Sequence, residues 1–207
     1  MNLSEMLQKG ILSLSLEIDD EAQKKLLDYL FLLHKWNKTY NLTAVRQPEQ
    51  MVTYHLLDSL AVSPFLWERK WLDVGCGPGL PGLILAILKP EWAFTLVDSN
   101  SKKTSFVAQA IIELGLKNVE VICCRVEDLS VAEKYDGIIS RAFADIGDFI
   151  LKTRHLLAVG GGWAAMKGFP EEELTRLPMW VKVEKILQLE VPNLAAARSL
   201  VVLREKL

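Results

Sequence analysis

Residues 72–82 read Leu-Asp-Val-Gly-Cys-Gly-Pro-Gly-Leu-Pro-Gly, and no other stretch restricts the fold so strongly. The apolar run Trp71–Val74 enters a cluster of glycines, and a second apolar run, Pro81 to Leu88, leaves it. A strand that turns sharply into a helix needs this composition, because glycine takes left-handed backbone angles without strain. The alternation then repeats. Phe94–Val97 reads as a second strand ending at Asp98, Lys102–Leu114 as a helix closed by Gly115, Val119–Cys124 as a third strand, and Gly137–Ser140 as a fourth. Asp145–Leu157 reads as a helix, Trp163–Met166 as a fifth strand and Glu171–Leu177 as another helix. Lys185–Val191 and Ser199–Leu203 are β-rich runs spaced to pair as an antiparallel hairpin. Repeated βα units give an α/β, Rossmann-like fold: a mostly parallel sheet covered by helices, with ligands beyond the carboxyl ends of its strands.

Residues 1–69 lack this alternation and read as helical. Asp20 with Gln23 forms a capping-box pattern, and Leu26, Leu27, Leu30, Leu33 and Asn37 follow on one face. A second helix begins at Pro48 and runs to Pro64. The expected division is an N-terminal helical extension over 1–69 and a larger domain over 70–207, packed as one unit. Half of the 207 residues are hydrophobic, ample for a core. Cys76, Cys123 and Cys124 have no CxxC spacing, which points to a reducing, cytoplasmic setting with neither a disulfide framework nor a zinc site. The apolar run Leu83–Leu88 is far below the ~18 residues of a membrane span, and Glu5 breaks any signal-peptide pattern. The expectation is a monomer without membrane or metal. A net charge of −2 gives no overall attraction to nucleic acid, so any such contact needs a local patch.

Three readings compete for the glycine loop. It can be a plain structural turn. It can be a dinucleotide site, since Gly77-Pro78-Gly79-Leu80-Pro81-Gly82 fits that glycine pattern literally. Asp73 argues against this: two unit charges 4 Å apart at an effective dielectric near 20 repel by about 4 kcal/mol. The strand also leads into Gly75, not Gly77. The third reading is S-adenosylmethionine, which has no phosphate and carries a sulfonium, an ammonium and one carboxylate. Asp73 then attracts, directly or through water. Gly75, Gly77 and Gly79 let the backbone approach the ligand, and the following helix N-terminus faces its carboxylate. The loop favours a cation.

Asp98, at the end of the second strand, can accept from both ribose hydroxyls, although dinucleotide enzymes place an acid similarly. After the third strand comes Arg125-Val126-Glu127-Asp128, where a carboxylate can accept from an adenine amino group; the alternative is a helix cap with a first-turn acid. Asp73, Asp98 and Glu127 at the ends of three successive strands are more specific together than singly.

The segments HKWNKTYNLTAVR (34–46), HLLDSL, DVGCGPGLPG, RVED and ISRAFA resemble the RsmG family, also called glucose-inhibited division protein B, from about residue 25 to the C-terminus. The resemblance implies a methyltransferase that moves a methyl group from S-adenosylmethionine to N7 of one guanine in 16S ribosomal RNA. It implies cofactor positions at Gly75, Leu80, Val126 with Glu127, and Arg141. One departure lies near the C-terminus, where the family's proline-glycine pair before an arginine is here Pro192-Asn193 and then Arg198.

Methylation of guanine N7 uses a lone pair in the base plane, so no proton leaves before attack and no general base is needed. Ser140-Arg141-Ala142-Phe143 ends the fourth strand, in place of the Asn/Asp-Pro-Pro-aromatic motif of amino-group methylation. There is no Pro-Cys pair for attack on a pyrimidine. Catalysis then rests on positioning, which can supply about 7–11 kcal/mol. Arg141 either donates to guanine O6, holds the cofactor carboxylate, or merely pairs with Asp145. His55 and Asp58, one helical turn apart, read as a buried polar pair. N7 lies in the narrow RNA major groove, so the target must be unpaired or specially presented, in 16S RNA or a 30S assembly intermediate. The candidate RNA surface is Lys35, Lys38 and Arg46 with Trp36 and Tyr40; basic groups would meet phosphates and the aromatics would stack on bases or pack the extension inward. An NAD(P) oxidoreductase, a small-molecule methyltransferase and a non-catalytic RNA scaffold remain rivals.

Overall fold

The computed structural model describes residues 2–67, 69–141, 143 and 145–206. Seven strands form one sheet in the order β3-β2-β1-β4-β5-β7-β6. They are β1 (Lys70–Val74), β2 (Ala93–Asp98), β3 (Val119–Cys123), β4 (Tyr135–Ser140), β5 (Leu157–Lys167), β6 (Val181–Gln188) and β7 (Ser199–Glu205). The first five pair in parallel, and β7 inserts antiparallel between β5 and β6. The expected closing hairpin is therefore present, but β6 begins four residues earlier than its β-rich run suggests. Its alternating charges hid it: Lys182–Glu184 are exposed, after a buried Val181, in a strand bulged at Val183/Lys185. β5 likewise reaches back to Leu157, so the preceding helix is shorter than expected, Ile146–Thr153 (α7) with a 3-10 turn over Arg154–Leu156.

Side chains alternate across the sheet. Trp71, Ile139, Ala164 and Val202 enter one core; Leu72, Ile138, Trp163 and Val201 enter the other. The first core also takes Leu26, Tyr29, Leu30, Leu33, Met51 and Leu56 of the N-terminal helices, together with Leu83 of α5 (Gly82–Leu88) and Phe106 of α6 (Ser101–Glu113). The N-terminal helices and the sheet thus bury one continuous apolar surface.

α1 spans Leu3–Ser13 and α2 spans Asp20–Tyr40. The cap of α2 sits one residue earlier than expected: Asp19 accepts from the Ala22 amide at 2.7 Å, while the Gln23 side chain donates to Ile18 O. α2 ends where Asn41 turns left-handed at φ 52°. Residues 34–40 are consequently its last two turns. The next helical stretch is composite. α3 (Pro48–Met51) passes into a π-wound segment, Val52–Leu57, and then α4 (Asp58–Leu60). A short helix, α8, covers Glu171–Leu174.

Candidate active site

The loop after β1 is held by its own backbone. The Gly75 and Cys76 amides both donate to Val97 O on β2, at 2.8 and 3.1 Å, and those of Gly79 and Leu80 both donate to Cys76 O at 2.8 Å. Gly79 needs its missing side chain twice over: its φ is +94°, and a Cβ would run into Leu83. From outside, the buried Tyr29 hydroxyl of α2 donates to Pro78 O at 2.8 Å, so the extension braces the turn. Leu80 is buried in the core beneath it.

Asp73 shares the sheet face of Trp71, which directs it toward α5. It is 0 % exposed. Its Oδ2 accepts from the Gly82 amide at 2.8 Å, at the first residue of α5, while Oδ1 has no partner among the described residues. Burial pushes its carboxyl up to about 7, opposed by the Gly82 N–H and the nearby Arg141 charge. A buried carboxylate oxygen left unpaired is costly, and a cation or a water that relays to one relieves the cost. This open oxygen is what an S-adenosylmethionine ammonium group requires, so the residues fit that cofactor; a pyrophosphate would make the imbalance worse.

A cavity of about 210 Å³ opens beyond the ends of β1, β2 and β3, lined among others by Gly75, Asp98, Val126, Glu127, Phe143 and Lys152. Asp98 Oδ2 accepts from the Gly77 amide at 2.9 Å and Oδ1 from the Asn100 amide at 2.8 Å. Each carboxylate oxygen can accept twice, so one lone pair on each remains for a diol. Val126 is buried at the floor. Glu127 sits in the 3-10 turn Val126–Asp128. Its carboxyl is lowered by its own backbone amide and by Lys152, 3.6 Å away. The turn's N-cap is Arg125, without a side-chain cap, so the capping alternative for Glu127 and Asp128 does not hold; both are first-turn acids. Asp98 and Glu127 therefore meet in one cavity, whereas Asp73 lies under the loop and outside it.

Arg141 does not line that cavity. It follows β4, whose Ser140 hydroxyl donates to Val74 O at 2.7 Å, and it borders a second cleft of about 390 Å³ with Tyr54, His55, Asp58, Lys167 and Arg198. Its Nη1 donates to Tyr54 O at 3.1 Å and to Asp58 Oδ2 at 3.4 Å. No pairing with Asp145 occurs among the described residues; Asp145 caps α7 by accepting from the Asp148 amide. Ala142 and Ala144 of ISRAFA lie outside the described residues.

The expected His55–Asp58 pair also gives way. Asp58, 0 % exposed, accepts from Arg198 Nε at 2.8 Å on its other oxygen. His55 Nε2 instead bonds the Thr43 hydroxyl at 3.0 Å. The π winding is the cause: i→i+5 bonding spreads residues three apart farther around the axis than an α-helix does. Burial, then the Arg141 charge, lower His55 to about 4 and keep it neutral. The Asp58–Arg198 contact spans 140 positions and left no local signature in the chain.

Lys35, Lys38 and Tyr40 are exposed on the last turns of α2. Trp36 packs on Tyr40 and on Phe106 of α6, with ring centroids 5.2 and 5.6 Å apart. Arg46 reaches back to Asn37 O and Asn41 Oδ1. Lys35 shares a hollow with Asp28 and Glu113, a pair of acids that the local basic run did not reveal. Among the described residues no cluster of His, Cys, Asp or Glu could hold a metal ion, and no helix is long and apolar enough to cross a membrane.

A parallel sheet with a glycine turn after β1, a buried acid beneath it and acids beyond β2 and β3 defines a Rossmann-like S-adenosylmethionine-dependent methyltransferase. Solved structures share the fold. TrmN from Thermus thermophilus aligns with TM-score 0.60 at 18% identity, covering 82% of this chain and 53% of that one. The Pyrococcus abyssi tRNA (uracil-54, C5)-methyltransferase, in complex with S-adenosyl-L-homocysteine, aligns with TM-score 0.57 at 18% identity, over 76% of this chain and 39% of that one. The particular family follows from sequence. Residues 22–201 match the GidB family, described as rRNA small subunit methyltransferase G. The ribosomal RNA small subunit methyltransferase G of Laribacter hongkongensis is 50% identical over 97% of this chain and 98% of its own length. Its counterpart in Stutzerimonas stutzeri is 51% identical over 97% and 95%. The chain belongs to the GidB family.

Proposed function

We propose that this protein transfers a methyl group from S-adenosylmethionine to N7 of a guanine in the 16S RNA of the small ribosomal subunit. The observation that supports the acceptor chemistry is that the imidazole and carboxylate lining the second cleft are poor bases: burial and the Arg141 charge push His55 down to about 4, and both oxygens of Asp58 are taken by arginines. Guanine N7 needs no base.

S-adenosylmethionine supplies an electrophilic methyl group on a good leaving group. The chain's residues bind and orient. Asp98 takes the ribose hydroxyls; Val126 and Glu127 take the adenine; Gly75 and Gly77 admit the backbone side of the ligand, and Leu80 sets the turn. Asp73 balances the ammonium charge through its open Oδ1. Arg141 stands between this half of the site and the second cleft, close enough to both that its charge influences Asp73 and His55. Lys35, Lys38 and Arg46 meet RNA phosphates, with Tyr40 exposed for stacking and Trp36 serving mainly to seat α2 on α6. Residues 1–69 and 70–207 fold as one unit because one apolar core includes both. The protein works in the cytoplasm as a monomer, on 16S RNA or a 30S assembly intermediate.

Methylation assays on naked 16S RNA, on undermethylated 30S particles and on small acceptors test this reading. N7-methylguanosine in the ribosomal RNA supports it. Transfer only to small acceptors, or binding of NADH in place of S-adenosylmethionine, overturns it.

A further inference from the structure

The two hollows at the carboxyl edge of the sheet divide along its topology. The first covers the ends of β1, β2 and β3; the second covers the ends of β4 and β5 and is walled by the π-wound segment and Arg198. The step from β1 to β4 separates the two sets of strand ends, and it is the point where strand order reverses and where open α/β sheets place reacting groups. The Ser140 hydroxyl joins the two strand ends there.

The second cleft is built, not incidental. One fully buried carboxylate, Asp58, holds two guanidinium groups, one on each oxygen. Arg141 retains Nε and Nη2, and Arg198 retains Nη2, without partners among the described residues. His55, 5 % exposed, lines the same space, and Tyr54 lies exposed at its edge. Two arginines against one aspartate leave a net positive charge. That suits a guanine O6 or the phosphate of the same nucleotide, and planar guanidinium forks match both. Asp58 also offsets part of the charge that would oppose the cation formed when N7 is methylated.

Resting on the reading above, we propose that the Tyr54–Asp58–Arg141–Arg198 cleft receives the acceptor guanosine, turned out of its RNA stack, and that Asp58 is a positioning residue that aims both arginines at it. Turning the base out exposes N7, which a paired helix hides in its narrow groove. Asp58 touches neither the base nor the cofactor; it acts through Arg141 and Arg198.

The test uses the full chain with undermethylated 30S particles. It compares wild type, Asp58→Asn and Arg198→Ala by single-turnover methylation, S-adenosylhomocysteine titration and thermal melting. Asp58→Asn is expected to lower the methylation rate by about 100-fold or more, as misplacement near 1 Å does, while leaving S-adenosylhomocysteine affinity within about twofold. Arg198→Ala, at a side chain 25% exposed, is expected to stay folded at the assay temperature with a lowered melting temperature, because Asp58 Oδ1 loses its partner, and to lower the rate at saturating 30S, with KM for 30S and S-adenosylhomocysteine affinity changed less. A merely structural Asp58 would lower melting temperature and cofactor affinity together, and that outcome overturns the proposal. If Asp58→Asn does not fold, Arg198→Ala decides: full activity refutes the cleft. Absence of methylation by wild type refutes the functional reading itself, whereas active wild type beside fully active Arg198→Ala refutes only this inference.

Discussion

Asp73 makes the cofactor site's charge testable by pH. Its carboxyl is raised from 3.8 to about 7, chiefly by burial. A ligand cation coupled to the open Oδ1, directly or through water, favours the ionised form, so binding must expel the proton that the free protein carries. With a carboxyl near 7, roughly nine in ten molecules are protonated at pH 6 and about a quarter at pH 7.5. Affinity for S-adenosylhomocysteine should therefore rise roughly eightfold over that interval, with roughly 0.9 proton released per ligand at pH 6. The window stops at pH 7.5 because an α-amino group itself titrates at about 7.7–8.0. Calorimetric titrations in buffers of different ionisation heat read both quantities. Asp73→Asn should bind more weakly and without the pH dependence. The stability sign is opposite: a folded-state carboxyl above its unfolded value contributes stability at low pH that is lost as pH rises from about 4 through 7. Wild type should thus lose stability relative to Asp73→Asn across that range when no ligand is present. Affinity independent of pH, or proton uptake on binding, would refute the charge coupling between the ligand ammonium and Asp73.

Gly82→Ala should destabilise the protein by about 1–3 kcal/mol in denaturant unfolding, since its Cβ would lie 2.7 Å from Asp73 Oδ2 and 2.9 Å from Leu96. Tyr29→Phe removes a buried hydrogen bond to the loop and should cost about 1 kcal/mol, with a measurable loss of cofactor affinity if the extension shapes the turn. Reversing Lys35 and Lys38 to Glu should weaken RNA binding and reduce its salt slope by about two, leaving S-adenosylhomocysteine affinity unchanged; equal loss of both would make the patch structural.

The chain's local patterns foretold the sheet well because its strands are short apolar runs punctuated by glycine and acids, each signal lying within a few residues. That Asp98 and Glu127 would line one cavity was legible for the same reason, both standing just past strands whose ends converge. Three features were not. The residues 34–40 carry polar and basic side chains, so the seating of this end of α2 by Trp36 against Phe106, 70 positions away in sequence, had no local sign. The π winding of Val52–Leu57 leaves no compositional mark, yet it separates His55 from Asp58. Arg198 approaches Asp58 only because β7 inserts beside β5, a topological consequence that no spacing within the chain expresses.

The most direct test is nucleoside mapping by mass spectrometry on small-subunit ribosomal RNA from cells with and without this chain. A single N7-methylguanosine present with it and missing without it is the expected result. An unchanged methylation map, or a lost methyl group on any other atom, would contradict the assignment.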